Sequence, residues 1–354
     1  MPLKDRGVAM LIALMVITVL VAVTVESHRK VRGMAQSAAA DRVRGQLEWT
    51  ARGGVVIAQA MLLETRRKSL NVTIQDDWAR PDKIQTALLE AGADPESLLV
   101  SIVDCLSMIQ INALVKPPHG HEFNPEQQQL WDRFLRPIFT EHETDEINAT
   151  TSFINSLKDW LDREDDDALT GLTGAESDHY QRLDPPYRTR NSPMRQEEEL
   201  LLVKGMTPEI YLGAFGIRPV APFVTVQGAA LSADRQLKEY PGRINISTAP
   251  LEVLEALLPL EDADLASSMA SFRLEQDGDT FINDLAQPAW YKNAPGCADL
   301  EIDPKLVTTT SNQFVIFSTA RKDSFSLTLR AAVELVQDLE SKKWNVSILE
   351  WEIL

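Results

Sequence analysis

Val8 to Val25 read VAMLIALMVITVLVAVTV, an apolar run of 18 residues whose only polar members are Thr18 and Thr24. As a helix it would be about 27 Å long, close to the apolar thickness of a bilayer. A short polar leader, MPLKDRG, stands before it, and a charged stretch from Glu26 to Arg32 follows. Beyond that the chain still reads as helix through about Glu64, with Gly53–Gly54 as its weak point. Three fates fit such a segment. A secretory signal would have an apolar centre of about 7–15 residues and then a small-x-small cleavage site. This run is longer, and Ala22-Val23-Thr24 is a poor site. A plain anchor fits the length, but Lys4 and Arg6 on one side face His28, Arg29, Lys30 and Arg32 on the other, so charge gives little orientation. In the third fate the leader ends in Gly7, is cut on the cytoplasmic side, and leaves the run as the first half of a long helix starting at Val8.

The remaining chain is large enough for two domains, or for one domain with a large insertion. A formal charge of −17 argues against nucleic-acid binding, which needs Lys and Arg to neutralise phosphates. Surplus carboxylates suit divalent cations or basic partner surfaces. Cys105 and Cys297 form no metal spacing and no CxxC motif. Either a disulfide in an exported chain or two buried thiols fits them.

Leu70 to Ile74 and Leu98 to Ile111 read as strands, and Pro117-Pro118 breaks the chain. Helical spacing or caps then mark Phe123–Phe139, Ala149–Asp162, Arg195–Lys204 and Pro208–Gly213, with a further helical block from Thr248 to about Leu285. Strands return at Phe314–Ala320 and Phe325–Val336, flanking a turn at Arg321–Ser324, and at Lys343–Leu354. Strands bracketing helices make an α+β domain with an α-helical insertion.

Arg6-Gly7-Val8-Ala9-Met10-Leu11-Ile12 resembles the processing site of type IV pilins and pseudopilins, with Gly7 last in the leader and Val8 first in the mature chain. Such proteins usually carry glutamate at the fifth mature position, where this chain has Ile12. Minor pseudopilins of the general secretion pathway protein K family lack it too. The fifth-position glutamate is thought to pair with the amino terminus of the subunit above. A membrane carboxylate left unpaired would cost about 3 kcal/mol, so Ile12 suits a tip position. The likeness to the protein K family extends to Asp104-Cys105 through Ile111-Asn112-Ala113-Leu114, Trp160-Leu161-Asp162 through Gly174-Ala175-Glu176, Glu199-Leu200 through Val203-Lys204-Gly205, and Ile244-Asn245-Ile246-Ser247-Thr248-Ala249-Pro250 with Val253-Leu254.

The resemblance implies a pseudopilin fold, a long N-terminal helix packed on a small antiparallel sheet, interrupted by a large helical insertion. Its expected parts are a leader (1–7), membrane and periplasmic halves of the helix (8–25 and 26–65) and the first part of the sheet (66–116). The insertion (117–295) would hold an acidic loop at 159–184 and a SAM-like, helix-hairpin-helix-like module at 242–290, and 296–354 would be closing strands. The resemblance also implies prepilin-peptidase processing, methylation of the new terminus, and single-pass anchoring in the bacterial inner membrane with the bulk periplasmic. The expected partners are I- and J-type minor pseudopilins and the major pseudopilin. Together they would initiate the type II secretion pseudopilus.

Nine carboxylates lie between Asp159 and Asp184, opposed nearby by Lys158, Arg163 and Arg182. Either the loop stays solvated or it captures a cation, and calcium accepts such oxygen ligands in flexible geometry. It is no EF-hand: counted from Asp162, the sixth position is Asp167 and the twelfth Thr173. The family resemblance implies structural Ca2+ here, with Asp162, Glu164, Asp165, Glu176 and Asp178 as ligands and Asn191 and Glu198 as further oxygen donors.

His119-Gly120-His121 lacks the i, i+4 spacing of a helical zinc site and reads as a polar loop. No base, nucleophile and oxyanion donor assemble, so the chain is not expected to be an enzyme. Where a helix-hairpin-helix would present glycines to DNA, Pro259-Leu260-Glu261-Asp262-Ala263-Asp264 presents acids, which fits a packing or protein-docking unit. A signal-anchored periplasmic calcium-dependent binding module, without a filament role, is the alternative reading.

Overall fold

No proline interrupts residues 4–68, and a single helix, α1, runs from Lys4 to Lys68, 65 residues or about 100 Å. The computed structural model describes residues 4–117, 120–141, 148–163, 169–214, 216–231, 237–338 and 340–354. None of the helix's most apolar window, near its N-terminus, is buried within the chain. Further along, Leu47, Ala51, Val55, Ala58 and Leu62 recur at helical spacing and bury one face.

That face packs on a four-stranded antiparallel sheet of β1 (Leu98–Asp104), β2 (Gln313–Lys322), β3 (Phe325–Gln337) and β4 (Trp344–Ile353), neighbours in that order. Alternation directs Leu98, Val100 and Ile102 of β1 and Leu329, Ala331, Val333 and Leu335 of β3 toward α1. The hairpin of β2 and β3 closes between Lys322 and Phe325, with Asp323 in the left-handed region at φ 53°. Opposite Ala332 and Val333, β4 bulges, leaving Leu349 without a partner in register. Helix α2 (Pro81–Glu90), with proline in its first turn, adds Ile84 and Leu88 to the same core.

Between β1 and β2 the chain builds a second core from α3 (Pro125–Glu141), α4 (Ala149–Leu161), α5 (Ser177–Tyr180), α6 (Pro208–Leu212), α7 (Leu251–Leu257) and α8 (Ala266–Phe272). Trp131, Phe153, Trp160, Tyr180 and Trp290 are fully buried there. This core extends past the expected insertion limits of 117–295, taking in Ile109 to Val115 before it and Cys297 to Val307 after it.

Asp104, the last residue of β1, ties the two cores together. Its Oδ2 accepts hydrogen bonds from Asn245 Nδ2 and Thr248 Oγ1, each at 2.7 Å, and its Oδ1 from Leu106 N at 2.9 Å. Burial pushes its carboxyl above the usual range, against the lowering effect of those donors. Asn245 Nδ2 also donates to Val72 O at 2.9 Å, and Trp290 Nε1 donates to Ser247 Oγ at 3.1 Å. Two of the sequence motifs singled out above thus meet in one buried polar junction.

Several local expectations change for physical reasons. The strand expected to reach Ile111 ends at Asp104, because that side chain caps a short 3-10 turn at Cys105–Ser107. Leu70–Ile74 forms a single bridge, Asn71 to Thr310, instead of a strand. Arg195–Lys204 holds a 3-10 helix at Glu197–Leu202. The block from Thr248 breaks at Pro259 after α7, resumes as a 3-10 turn and α8, and ends in a hairpin at Gln276–Phe281 around Gly278. Cys105 and Cys297 are both free and buried, in different clusters.

The glycine pair in α1 divides by role. A Cβ at Gly54 would collide with Ser318 Oγ and lie 2.8 Å from Val100 Cγ2, so this glycine is where helix and sheet meet most closely. A Cβ at Gly53 would meet nothing within 4 Å. Gly54→Ala should therefore destabilise the fold by about 1–3 kcal/mol through overpacking. Gly53→Ala should raise stability by up to about 1 kcal/mol. Denaturant unfolding of the two variants side by side checks the opposite signs.

Candidate metal centre

Helix α4 ends in the sequence Lys158-Asp159-Trp160-Leu161-Asp162, placing two carboxylates three residues apart at its C-terminus. That end carries the negative pole of the helix dipole, an unfavourable place for acids without a compensating cation. The chain returns through a 3-10 turn at Thr170–Leu172 and brings Glu176, the residue capping α5, to the same point. Oxygens of Asp159, Asp162 and Glu176 all lie within 4.8 Å of one another, and all three residues are buried.

Glycines allow this approach. A Cβ at Gly174 would overlap Asp159 Oδ2, and one at Gly120, whose φ is +81°, would sit 2.9 Å from Asp162 Cα. The turn is held from outside: Thr170 N donates to Asp159 Oδ2 at 3.3 Å, Lys158 Nζ to Thr170 Oγ1 at 3.0 Å, and Asn155 Nδ2 to Thr173 Oγ1 at 2.9 Å. Trp160 packs edge-on against Tyr180 with ring centroids 5.2 Å apart, walling the site from the helical core.

Lys158 enters the cluster, and His121 lies near enough to favour the charged form of Asp162. Lys158 Nζ approaches Asp162 Oδ2 at 3.3 Å, and both side chains are nearly buried. Three carboxylates converging on one buried point suit a cation. Asp159 Oδ1 and Asp162 Oδ1 are buried without a hydrogen-bond partner among the described residues. Buried carboxylate oxygens are expensive in that state unless something accepts their lone pairs. Burial, resisted by Lys158, pushes the Asp162 carboxyl up to about 6. Oxygen donors alone suit a hard cation such as calcium or magnesium better than zinc.

Of the seven ligands expected from sequence, Asp162 and Glu176 meet in the cluster. Glu164 and Asp165 lie outside the described residues. Asp178 is exposed and ion-paired to Arg182, and Glu198 is exposed; neither belongs to the cluster. Asn191 sits at φ 48° with a buried Oδ1 that has no partner among the described residues. Asp159 was absent from the expected set although it is the most buried of the acids. Its position three residues before Asp162 on one helix was the available signal.

The first-domain family model of type II secretion system (T2SS) protein K matches residues 107–227, which include this centre. Type II secretion system protein K of Aeromonas hydrophila is 24% identical over 260 residues, covering 73% of this chain and 71% of its own. That of Pseudomonas aeruginosa is 26% identical over 292 residues, covering 80% and 78%. A chain in the crystal structure of the GspK-GspI-GspJ complex from enterotoxigenic Escherichia coli superposes with a TM-score of 0.60 at 18% identity, covering 89% of this chain and 98% of its own. The fold is therefore shared.

The Asp162 carboxyl gives the metal-free protein a signed pH dependence. Its folded value, about 6, lies above the unfolded one. Its stabilisation is therefore full below the unfolded value and is lost as pH rises through about 6. In chelator, the thermal midpoint should fall between pH 5 and pH 7.5 by at least about 2 °C more in the natural protein than in Asp162→Asn. Equal slopes in a paired thermal scan would show that this carboxyl is not held as described.

Proposed function

We propose that this chain, a minor pseudopilin of the type II secretion system protein K family, stands at the pseudopilus tip and starts assembly of the filament. The observation that carries the tip reading is Ile12 at the fifth position after Gly7, in a segment with no acid and no burial within the chain. A subunit with nothing above it has no amino terminus to pair with, and an apolar residue avoids an uncompensated membrane carboxylate. The helical domain joined to the sheet through Asp104 would cap the filament by bulk.

In this reading the leader is removed after Gly7 by a prepilin peptidase and the terminus at Val8 is methylated. The apolar run holds the chain in the inner membrane with the rest in the periplasm. The solved relative is in complex with GspI and GspJ, which supports I- and J-type minor pseudopilins as partners, with the major pseudopilin below. The pair α7 and α8 serves as a SAM-like packing unit, and its connecting turn carries Glu261, Asp262 and Asp264.

We assign calcium to the acidic centre, held by Asp159, Asp162 and Glu176, with Glu164, Asp165 and Asn191 as the nearest further oxygen donors in sequence or orphaned in the fold. A bound calcium supplies structural charge balance, with no chemistry. The chain's own part is to fix the acidic loop at the end of α4 and close it against Trp160 and Tyr180.

Calorimetric titration of the metal-free protein should show saturable heat with calcium and a rise in thermal midpoint. Asp159→Asn should weaken binding at least tenfold, the scale of about 1.4 kcal/mol. No heat and an unchanged midpoint would remove the metal assignment. For the tip, gold-labelled chain in assembled pseudopili should appear at one end only. Label along the shaft would contradict the capping role.

A further inference from the structure

Arg29, Lys30 and Arg32, with His28, follow the apolar run of α1 on the side where membrane anchors are usually poor in basic residues. In the reading above the leader departs with Lys4 and Arg6, so the mature helix keeps no Lys or Arg on the cytoplasmic side. A chain of net charge −17 thus places a positive segment at the point where it leaves the bilayer. Glu26 is the only acid between Val8 and Asp41. Every residue from Glu26 to Arg32 is exposed, and among the described residues the first ion pair along α1 is Glu48 with Arg52. The fold itself pairs none of the three cations.

Helix geometry sets their depth. At 1.5 Å per residue, Arg29, Lys30 and Arg32 stand about 6–11 Å beyond Val25. The polar headgroup layer is about 5–8 Å thick on each side of the apolar core. Side chains of a helix tilt toward its N-terminus, here toward the membrane, and long basic stems extend that reach. The charges therefore fall among lipid phosphates. Successive residues turn by about 100°, so Arg32, Arg29 and Lys30 spread over about 160° of the helix circumference, and His28 widens the arc to about 200°. A helix meets one packed neighbour through a stripe about 100° wide. The wider arc suits several small ligands around the helix better than one partner helix. A zwitterionic headgroup cancels its phosphate with its own ammonium, so a net positive arc favours headgroups that carry net negative charge.

We propose that Arg29, Lys30 and Arg32 bind the phosphates of anionic phospholipids in the periplasmic leaflet and hold the anchored chain at a fixed depth. This rests on the anchored orientation given above and adds a ligand to it.

The test uses the full chain reconstituted in phosphatidylcholine vesicles that carry a trace of spin-labelled lipid, with electron paramagnetic resonance reading the lipid held against the protein. Spin-labelled phosphatidylglycerol should associate with the natural chain about threefold or more above spin-labelled phosphatidylcholine, within the scale of about fivefold per basic residue. Arg29→Gln, Lys30→Gln and Arg32→Gln together should bring the ratio to about one, with the thermal midpoint unchanged because all three are exposed. Lys4→Gln with Arg6→Gln should leave the ratio as it is. No preference in the natural chain, or a preference lost with the leader pair and kept without the other three, would overturn the site. Loss of the preference in excess inorganic phosphate, but not in chloride of equal ionic strength, would overturn lipid as the ligand. Placement is read separately. Ser37→Cys in intact spheroplasts should react with a membrane-impermeant maleimide, against a natural chain whose two cysteines are buried. Labelling only after lysis would overturn the anchored orientation and the assigned leaflet together. Labelling in intact cells without any lipid preference would overturn the site alone.

Discussion

A single buried carboxylate, Asp104, sets the relation between the two halves of this molecule. It lies at the last position of β1, where the chain leaves the sheet, and it accepts hydrogen bonds from the side chains of Asn245 and Thr248 in the helical domain. Charged groups of this kind are costly to bury, and their cost is met only when every lone pair finds a donor. Asn245, Thr248 and Leu106 provide three such donors, and burial still holds the carboxyl above its usual range. The domain between β1 and β2 is thereby fastened to the sheet near its point of exit.

The same principle operates in the acidic centre with the opposite outcome. Asp159, Asp162 and Glu176 are brought together by a helix end and a glycine-lined turn, with Lys158 paired to Asp162. At Asp104 the protein supplies its own partners. At Asp159 and Asp162 an oxygen on each remains without one among the described residues. That contrast separates a junction satisfied within the chain from the site proposed here to hold a cation.

The long-range architecture was legible because it rests on strong local signals. The uncharged run at Val8–Val25, the alternation in Phe325–Val336 and the absence of proline in α1 each specify one secondary structure. The short elements were not legible. Whether the chain continues as strand past Asp104 depends on a side-chain cap and on Asn245, far away in sequence. The acidic cluster was partly legible: acid density pointed to the loop, and the family resemblance implied Asp162 and Glu176, which come together there. Asp159 was hidden because an acid inside a helix reads as surface unless its burial is known. Asp178 looked equivalent in sequence but turns out to solvent and pairs with Arg182. The different roles of Gly53 and Gly54 were beyond any one-dimensional reading, since only the position of β1 and β2 distinguishes them.

The assembly role proposed for this chain requires α1 to stay one continuous helix that keeps its apolar half when the leader is removed. Amino-terminal mass analysis after co-expression with a prepilin peptidase tests that directly. A mature chain beginning at Val8 is the predicted result. An intact Met1 terminus, or a cut near Val25 that releases the rest of the chain, would contradict it.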